Sequence, residues 1–487
     1  MAKKLKLNYG KTILIGFGFM ASSVAWGIYD PYVTTILNNL LSKSATIAAW
    51  GVAIVERFPK ILDFLSATGE EVGTVAGGFT LVPLFIGLIM TFDNIFGVIF
   101  QPTFGKLSDR CHSRFGKRRP FVFFGAPISA LFFILIPRMS TIPALMFCII
   151  MYVFIMSLWR APVVALMPDL TAPSLRSEGN AVINLMGGIG GLLATLAASI
   201  VCLIGGFNKD TDAESYIPWV FVFGAVIMIA ATVILFFFVK EPDSRLKILS
   251  EERQANDEKA RLKAAKEASK VEKARLKAIK LSKGERKSLI FMLIGLFFLF
   301  CGANAVQTFF ALFASEILNK NVGQATTMLF MFVVASAISA VPAGYLGKKL
   351  GRKKTILIGL TAFLAAFLAY LAVQLITGKG IALVWVALIV GGAANMLITV
   401  NTLPLVLEIG GVEKIGTFTG YYYTATFSAQ IATPIIYGTV RMLSGTYMSL
   451  FVYCPICFII SFLSIMLVRH GESIPEDILK KAQQEDL

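Results

Sequence analysis

Long apolar runs recur twelve times along the 487-residue chain, and this recurrence limits the possible folds more than any motif does. About 20 apolar residues at 1.5 Å rise cross a hydrocarbon core of roughly 30 Å. The runs fall at 12–37, 79–104, 121–138, 143–167, 179–206, 217–239, 288–314, 324–346, 355–376, 382–407, 417–440 and 447–468. Lipid offers no partner to an open backbone, so each run must be helical. Only 15% of the residues are charged and 56% are hydrophobic, whereas a soluble chain carries about 25% charged residues. The expected class is an all-α membrane protein with 12 transmembrane helices. The first run contains Trp26 and Asp30 and lacks a small-residue cleavage site, so it reads as a retained helix and not a signal peptide.

The loops give the orientation. With the N-terminus inside, the cytoplasmic segments hold 36 of the 45 Lys+Arg, the outer segments eight, and Arg160 alone lies within a span. The positive-inside rule then places both termini in the cytoplasm, and a plasma membrane is the expected location. Anionic inner-leaflet lipid would meet the +16 net charge, so no nucleic-acid partner is needed to explain it. The outer loop 40–78 carries Trp50, Phe58 and Phe64 beside Glu56, Arg57 and Asp63, which reads as an interfacial hairpin. An extra spanning pair there would bury several charges. The charged linker 240–287 repeats Glu-Lys-Ala-Arg-Leu-Lys-Ala at 258–264 and 272–278, two heptads apart, as a solvated helix would. The expected division is 1–239, linker 240–287, and 288–487.

Chemistry of other kinds finds little support. Five of the six cysteines lie in the spans and there are only two histidines, so disulfide and zinc readings fail. Gly10-Lys11-Thr12 lacks the upstream glycine of a phosphate loop. The glycines 187, 188, 190 and 191 follow no strand and read as close helix packing, not a dinucleotide site. No cofactor is expected. The chain has no clustered His or acid motif of a membrane enzyme.

Two loops are related. Gly105-Lys-Leu-Ser-Asp109-Arg110-Cys-His-Ser-Arg114-Phe-Gly116-Lys117-Arg118-Arg119-Pro120 follows the second run, and Gly344-Tyr-Leu-Gly-Lys348-Lys349-Leu-Gly351-Arg352-Lys353-Lys354 follows the eighth. Six helices separate the copies, as an internal repeat of six-helix halves predicts. The pattern resembles the major facilitator superfamily, which implies two pseudo-symmetric six-helix bundles. Gly105 is expected to let helices approach closely, and Asp109 to accept from basic side chains and close a gate. Arg110, Arg114 and Arg118 supply donors to that gate and to lipid phosphate, with Lys117 and Arg119 as simple anchors. Lys348 stands where the second copy would have its acid, so a weaker latch is expected there.

The longer form from Ser108 to Phe121 is similar to the glycoside–pentoside–hexuronide:cation symporters, nearest their sucrose–proton branch. Asp30-Pro31-Tyr32-Val33, Gln101-Pro102-x₂-Gly105, and Arg160-Ala161 with Asp169-Leu170 agree. The resemblance implies a monomeric sugar transporter coupled to a cation. Sodium-using members carry two acids in the second span. Gly97 and Gln101 occupy those positions here, which favours H⁺ over Na⁺.

Ionisable groups inside spans are functional candidates. Asp93 is the deepest acid of the second span, and Arg160 of the fourth is its expected partner. Asp93 would carry the proton and Arg160 would tune it, the alternative being a static ion pair. A sugar needs directional polar groups and an apolar face. Trp26, Tyr29 and Asp30 in the first span could supply both, with Gln101, Asn304, Gln307, Asn395, Asn401 and Gln430 as further polar contacts, while Trp159 would face lipid. The rival readings are transport of a lysolipid or other amphiphile, and a receptor that binds without moving its ligand.

Overall fold

The computed structural model describes residues 7–57, 80–111, 113–171, 176–241, 282–377, 381–410 and 415–470. The described residues form α1 (Tyr9–Ser42), α2 (Ala45–Arg57), α3 (Val82–Asp109), α4 (Arg119–Leu135), α5 (Ile142–Leu170), α6 (Arg176–Gly205) and α7 (Ala213–Phe238). They continue with α8 (Lys283–Ile317), α9 (Val322–Leu350), α10 (Arg352–Thr377), α11 (Ile381–Gly410), α12 (Ile415–Ser444) and α13 (Leu450–Met466). The twelve expected spans correspond to α1 and α3 to α13. Eleven of these helices are long and apolar enough to cross a membrane. The other, α12, is 30 residues long but rich in Tyr and Thr. Threonine hydroxyls are satisfied within the helix, Thr424 donating to the Gly420 carbonyl at 2.9 Å and Thr433 to that of Ala429 at 2.5 Å, while the Tyr437 hydroxyl donates to the Tyr447 carbonyl just beyond it, at 3.3 Å.

Helix starts follow from local chemistry. Ser282 and Glu285 bond each other's backbone N–H at 3.2 and 2.8 Å and open α8 as a capping box. Asn321 and Gln324 do the same for α9, at 3.0 and 3.1 Å. The 13 residues of α2 are too few to span, and its exposed Trp50 lies 6.0 Å from Phe85 at the head of α3. That half of the outer loop thus fits an interfacial element and not a crossing. Residues 58–79, most of the linker and the repeated heptads lie outside the described residues.

By packing, the chain divides into two compact units, 1–259 with 308–327, and 260–307 with 328–487. The end of α8 and the start of α9 thus group with the first unit, beyond the boundary that the linker suggested. In that unit α1 is central, against α6 and α7. Gly190 is needed for this: a Cβ there would lie 2.5 Å from the Met20 carbonyl oxygen. Trp159 is fully buried and donates through Nε1 to Ser129 Oγ at 3.0 Å. It therefore does not face lipid, because its N–H has a partner inside the bundle.

The turn after α6 binds the head of α9. Lys209 Nζ donates to Ser199 Oγ at 2.8 Å and to Thr327, Asn321 Nδ2 donates to the Lys209 carbonyl at 2.6 Å, and Gln324 donates to Asp210. Half-burial holds the Lys209 ammonium below its ordinary 10.5.

In the second unit, Phe363 and Phe367 of α10 pack as tilted rings on Phe458 and Phe451 of α13, with centroids 4.9 Å apart in each pair. Ser461 of α13 donates to the Gly295 carbonyl of α8 at 2.8 Å. Lys353 Nζ closes the end of α13 on the carbonyls of Met466 and Val468, at 2.9 and 2.6 Å.

Candidate functional site

Three helices of the first unit bring together the sequence's deepest polar groups. Tyr29 of α1 stacks on Tyr152 of α5, with ring centroids 5.2 Å apart. Trp26 stands edge-on to both, at 5.3 and 6.0 Å. The Arg160 guanidinium lies over the Trp26 ring at 5.9 Å, within the range of a cation–π contact. Asp30 of α1, Asp93 of α3 and Arg160 lie within electrostatic reach of one another and of the Tyr152 phenol, and the two acids also within reach of the Tyr29 phenol. Trp26, Asp30, Asp93 and Arg160 each keep some accessible surface, whereas Tyr29 and Tyr152 are fully buried.

Among the described residues, no direct ion pair closes between Arg160 and either acid. The static Asp93–Arg160 bridge is therefore not what this structure holds. One cation faces two carboxylates instead. Trp26 Nε1 and the Tyr29 and Tyr152 hydroxyls are buried without a protein partner. Buried polar atoms are normally paired, so three together mark a site.

Other candidates go elsewhere. Gln101 folds its amide back toward Gly97 on its own helix, with Nε2 3.2 Å from where a Cβ would stand. Asn401 is 3% exposed and donates to the carbonyls of Ala343 at 3.1 Å and Leu397 at 2.9 Å. Its donors are used in joining α11 to α9, so it is a packing contact and not a ligand contact. In the second unit Asn304 has a buried Nδ2 without a partner, Gln307 is exposed, and Asn395 and Gln430 are half-buried.

The first of the two related loops folds around a residue that its sequence does not distinguish from its neighbours. Arg118 is 4% exposed. It donates to Asp109 and Ser108, to Asp169 Oδ2 at 2.9 Å and to the Gly105 carbonyl at 3.1 Å. Its backbone N–H donates to Glu241 Oε2 at 2.9 Å. Gly105 does not serve close helix approach, since a Cβ there would meet nothing within 4 Å; its carbonyl does the work. Lys117 joins Asp169 at 3.2 Å and Asp109 at 3.8 Å. Arg119 is buried as well, donating to the Phe236 carbonyl and lying over that ring at 4.5 Å. It is thus a structural bolt onto α7 and not a surface anchor. Arg110 and Arg114 are exposed. Burial pushes the Glu241 carboxyl up from its ordinary 4.5, against the lowering effect of the Arg118 N–H.

The second loop is not without an acid. Arg352 at the head of α10 pairs with Glu408 near the end of α11, as Arg118 at the head of α4 pairs with Asp169 near the end of α5. The partner acid comes from 56 residues downstream, which is why the Lys348 position alone suggests a weaker latch.

Sequence reasoning missed Tyr152, Glu241 and Glu408. Tyr152 stands two turns before Arg160 on a similar face, a spacing that could have marked it. Nothing local marks Glu241.

The profile of the Major Facilitator Superfamily matches residues 12–434 and again 292–484. The isoprimeverose transporter of Lactiplantibacillus pentosus is 27% identical over 169 residues, 33% of this chain and 34% of that one. Sucrose transport protein SUC3 of Arabidopsis thaliana is 30% identical over 137 residues, 24% of this chain and 23% of that one. The match thus spans about a third or less of these relatives. The xylose transporter XylE from E. coli shares the fold at TM-score 0.60 and 14% identity, over 97% of this chain and 99% of that one. The nucleoside transporter NupG does so at TM-score 0.62 and 12% identity, over 94% and 99%. The chain is therefore an integral, multi-pass membrane protein belonging to the major facilitator superfamily.

Proposed function

We propose that the chain is a secondary active transporter of a sugar or glycoside, coupled to protons and working by alternating access. The observation that carries this reading is the mixed polarity of the α1–α3–α5 cluster. Trp26, Tyr29, Tyr152 and Arg160 offer donors, Asp30 and Asp93 offer acceptors, and the Trp26 ring, which keeps some surface, offers an apolar face. Each hydroxyl of a sugar both donates and accepts, so a polyhydroxylated ring matches this mixture. A lysolipid tail would leave the donors unmatched. The names of the isoprimeverose and sucrose relatives point the same way.

Asp93 carries the coupling proton, with Asp30 as the second acid that shares Arg160. Two carboxylates against one guanidinium leave one negative charge, which a proton neutralises. A sodium ion there would feel the fixed cation at close range. Asn304, Gln307, Asn395 and Gln430 are the candidates in the second unit for further polar contacts. The Arg118–Asp109–Asp169 and Arg352–Glu408 pairs act as gating latches, and exposed Arg110 and Arg114 meet lipid phosphate. The transporter works as a monomer in the plasma membrane, both termini cytoplasmic, with the basic loops on that side.

Proteoliposomes holding the purified chain test the substrate. With an imposed proton gradient, labelled sucrose, xylose or isoprimeverose should accumulate and labelled lysophosphatidylcholine should not. Uptake of the lysolipid alone would overturn the sugar reading.

A further inference from the structure

The two stacked tyrosines have a chemistry that the coupling scheme does not use. Tyr29 and Tyr152 are fully buried, their rings lie 5.2 Å apart, and neither hydroxyl has a protein partner. Trp26 Nε1, on the edge-on ring beside them, is the third buried donor of this kind. A buried hydroxyl left unpaired costs stability, and a phenylalanine of the same shape would avoid that cost. Packing therefore gives no reason for tyrosine at these two positions: Phe133 already packs on Tyr152 at 5.2 Å as a plain ring. The neighbouring groups that stay accessible, Trp26, Asp30, Asp93 and Arg160, give a ligand its approach to the cluster.

We infer that Tyr152 and Tyr29 are specificity-determining residues, whose hydroxyls donate to the oxygen atoms of a bound sugar while Asp30 and Asp93 accept from its hydroxyl hydrogens. The inference rests on the sugar reading above and deepens it. It singles out, among the donors of α1 and α5, the two phenols as the groups that read a substrate oxygen. It also sets the chemistry read at this point: an acceptor oxygen on the ring, which a deoxy sugar lacks. A site built to bond a substrate oxygen discriminates strongly against an analogue without it, because its own donors are then left bare.

The test uses the full-length chain in detergent, with Tyr152→Phe and Tyr29→Phe. Binding of sucrose, xylose and isoprimeverose, and of monodeoxy analogues of whichever binds, is measured together with thermal melting. Each substitution should weaken binding of the sugar about tenfold. For the one deoxy analogue lacking the partner oxygen, variant and wild type should bind alike. Melting should not fall, since an unpaired buried group has been removed. Unchanged sugar affinity in both variants would overturn the inference while leaving the sugar reading intact. So would an equal loss for every analogue accompanied by lower melting, the mark of a structural role. A wild-type chain that binds none of the three sugars would overturn the sugar reading, and the donor assignment with it.

Discussion

Gly116 shows how one residue fixes a loop. Its φ is +97°, which side-chain-bearing residues rarely adopt, and a Cβ there would lie 2.0 Å from a Glu241 carboxylate oxygen. Gly116→Ala combines backbone strain with displacement of that carboxylate, and should cost about 1–3 kcal/mol, seen as lower melting in detergent. Gly188→Ala, where a Cβ would meet nothing within 4 Å, is the matched control and should not lower melting, since alanine favours a helix. At this scale the sequence is readable where a residue is out of place. Asp93, Arg160 and Trp26 stand out because charge or a large polar ring is rare inside an apolar run. Tyr152 does not, because a tyrosine among Phe, Met and Tyr residues is ordinary until its hydroxyl is seen to lack a partner. Asn401 misleads for the opposite reason: its amide looks free in sequence, yet backbone carbonyls take up its donors.

Elements meet through groups brought from far apart in the chain. The α3–α4 loop closes on Glu241 beyond α7, 123 residues away from Arg118. Burial raises the Glu241 carboxyl above 4.5, so the folded chain holds this proton more tightly than the unfolded one does. That contribution to stability is fully present below pH 4.5 and is lost as pH rises through the raised value. Melting temperature should therefore fall over that window, and Glu241→Gln should flatten the dependence. An equal slope in wild type and variant would show that another group is responsible. Helix existence was legible from apolar length, but the start of α8 at the Ser282–Glu285 capping pair lies inside the stretch that reads in sequence as the linker. The latches were only half legible. Their basic members stand in the loop motifs, but Asp169, Glu241 and Glu408 reach them through tertiary packing, which no local spacing encodes.

For the whole molecule, the two related loops each place an arginine at a helix start against an acid near the end of the next helix. This likeness supports a duplicated architecture more firmly than the loop sequences do, because Lys348 hides it. The proposed coupling chemistry, by contrast, belongs to the first unit, where Asp93, Asp30 and Arg160 lie within electrostatic reach of one another. In this scheme Asp93 links the proton gradient to substrate movement. Counterflow and gradient-driven accumulation of the transported sugar, measured side by side in proteoliposomes of Asp93→Asn, test it most directly. Counterflow should persist while accumulation falls to the level set by equilibration. Accumulation at the wild-type level in Asp93→Asn would show that Asp93 does not carry the coupling proton.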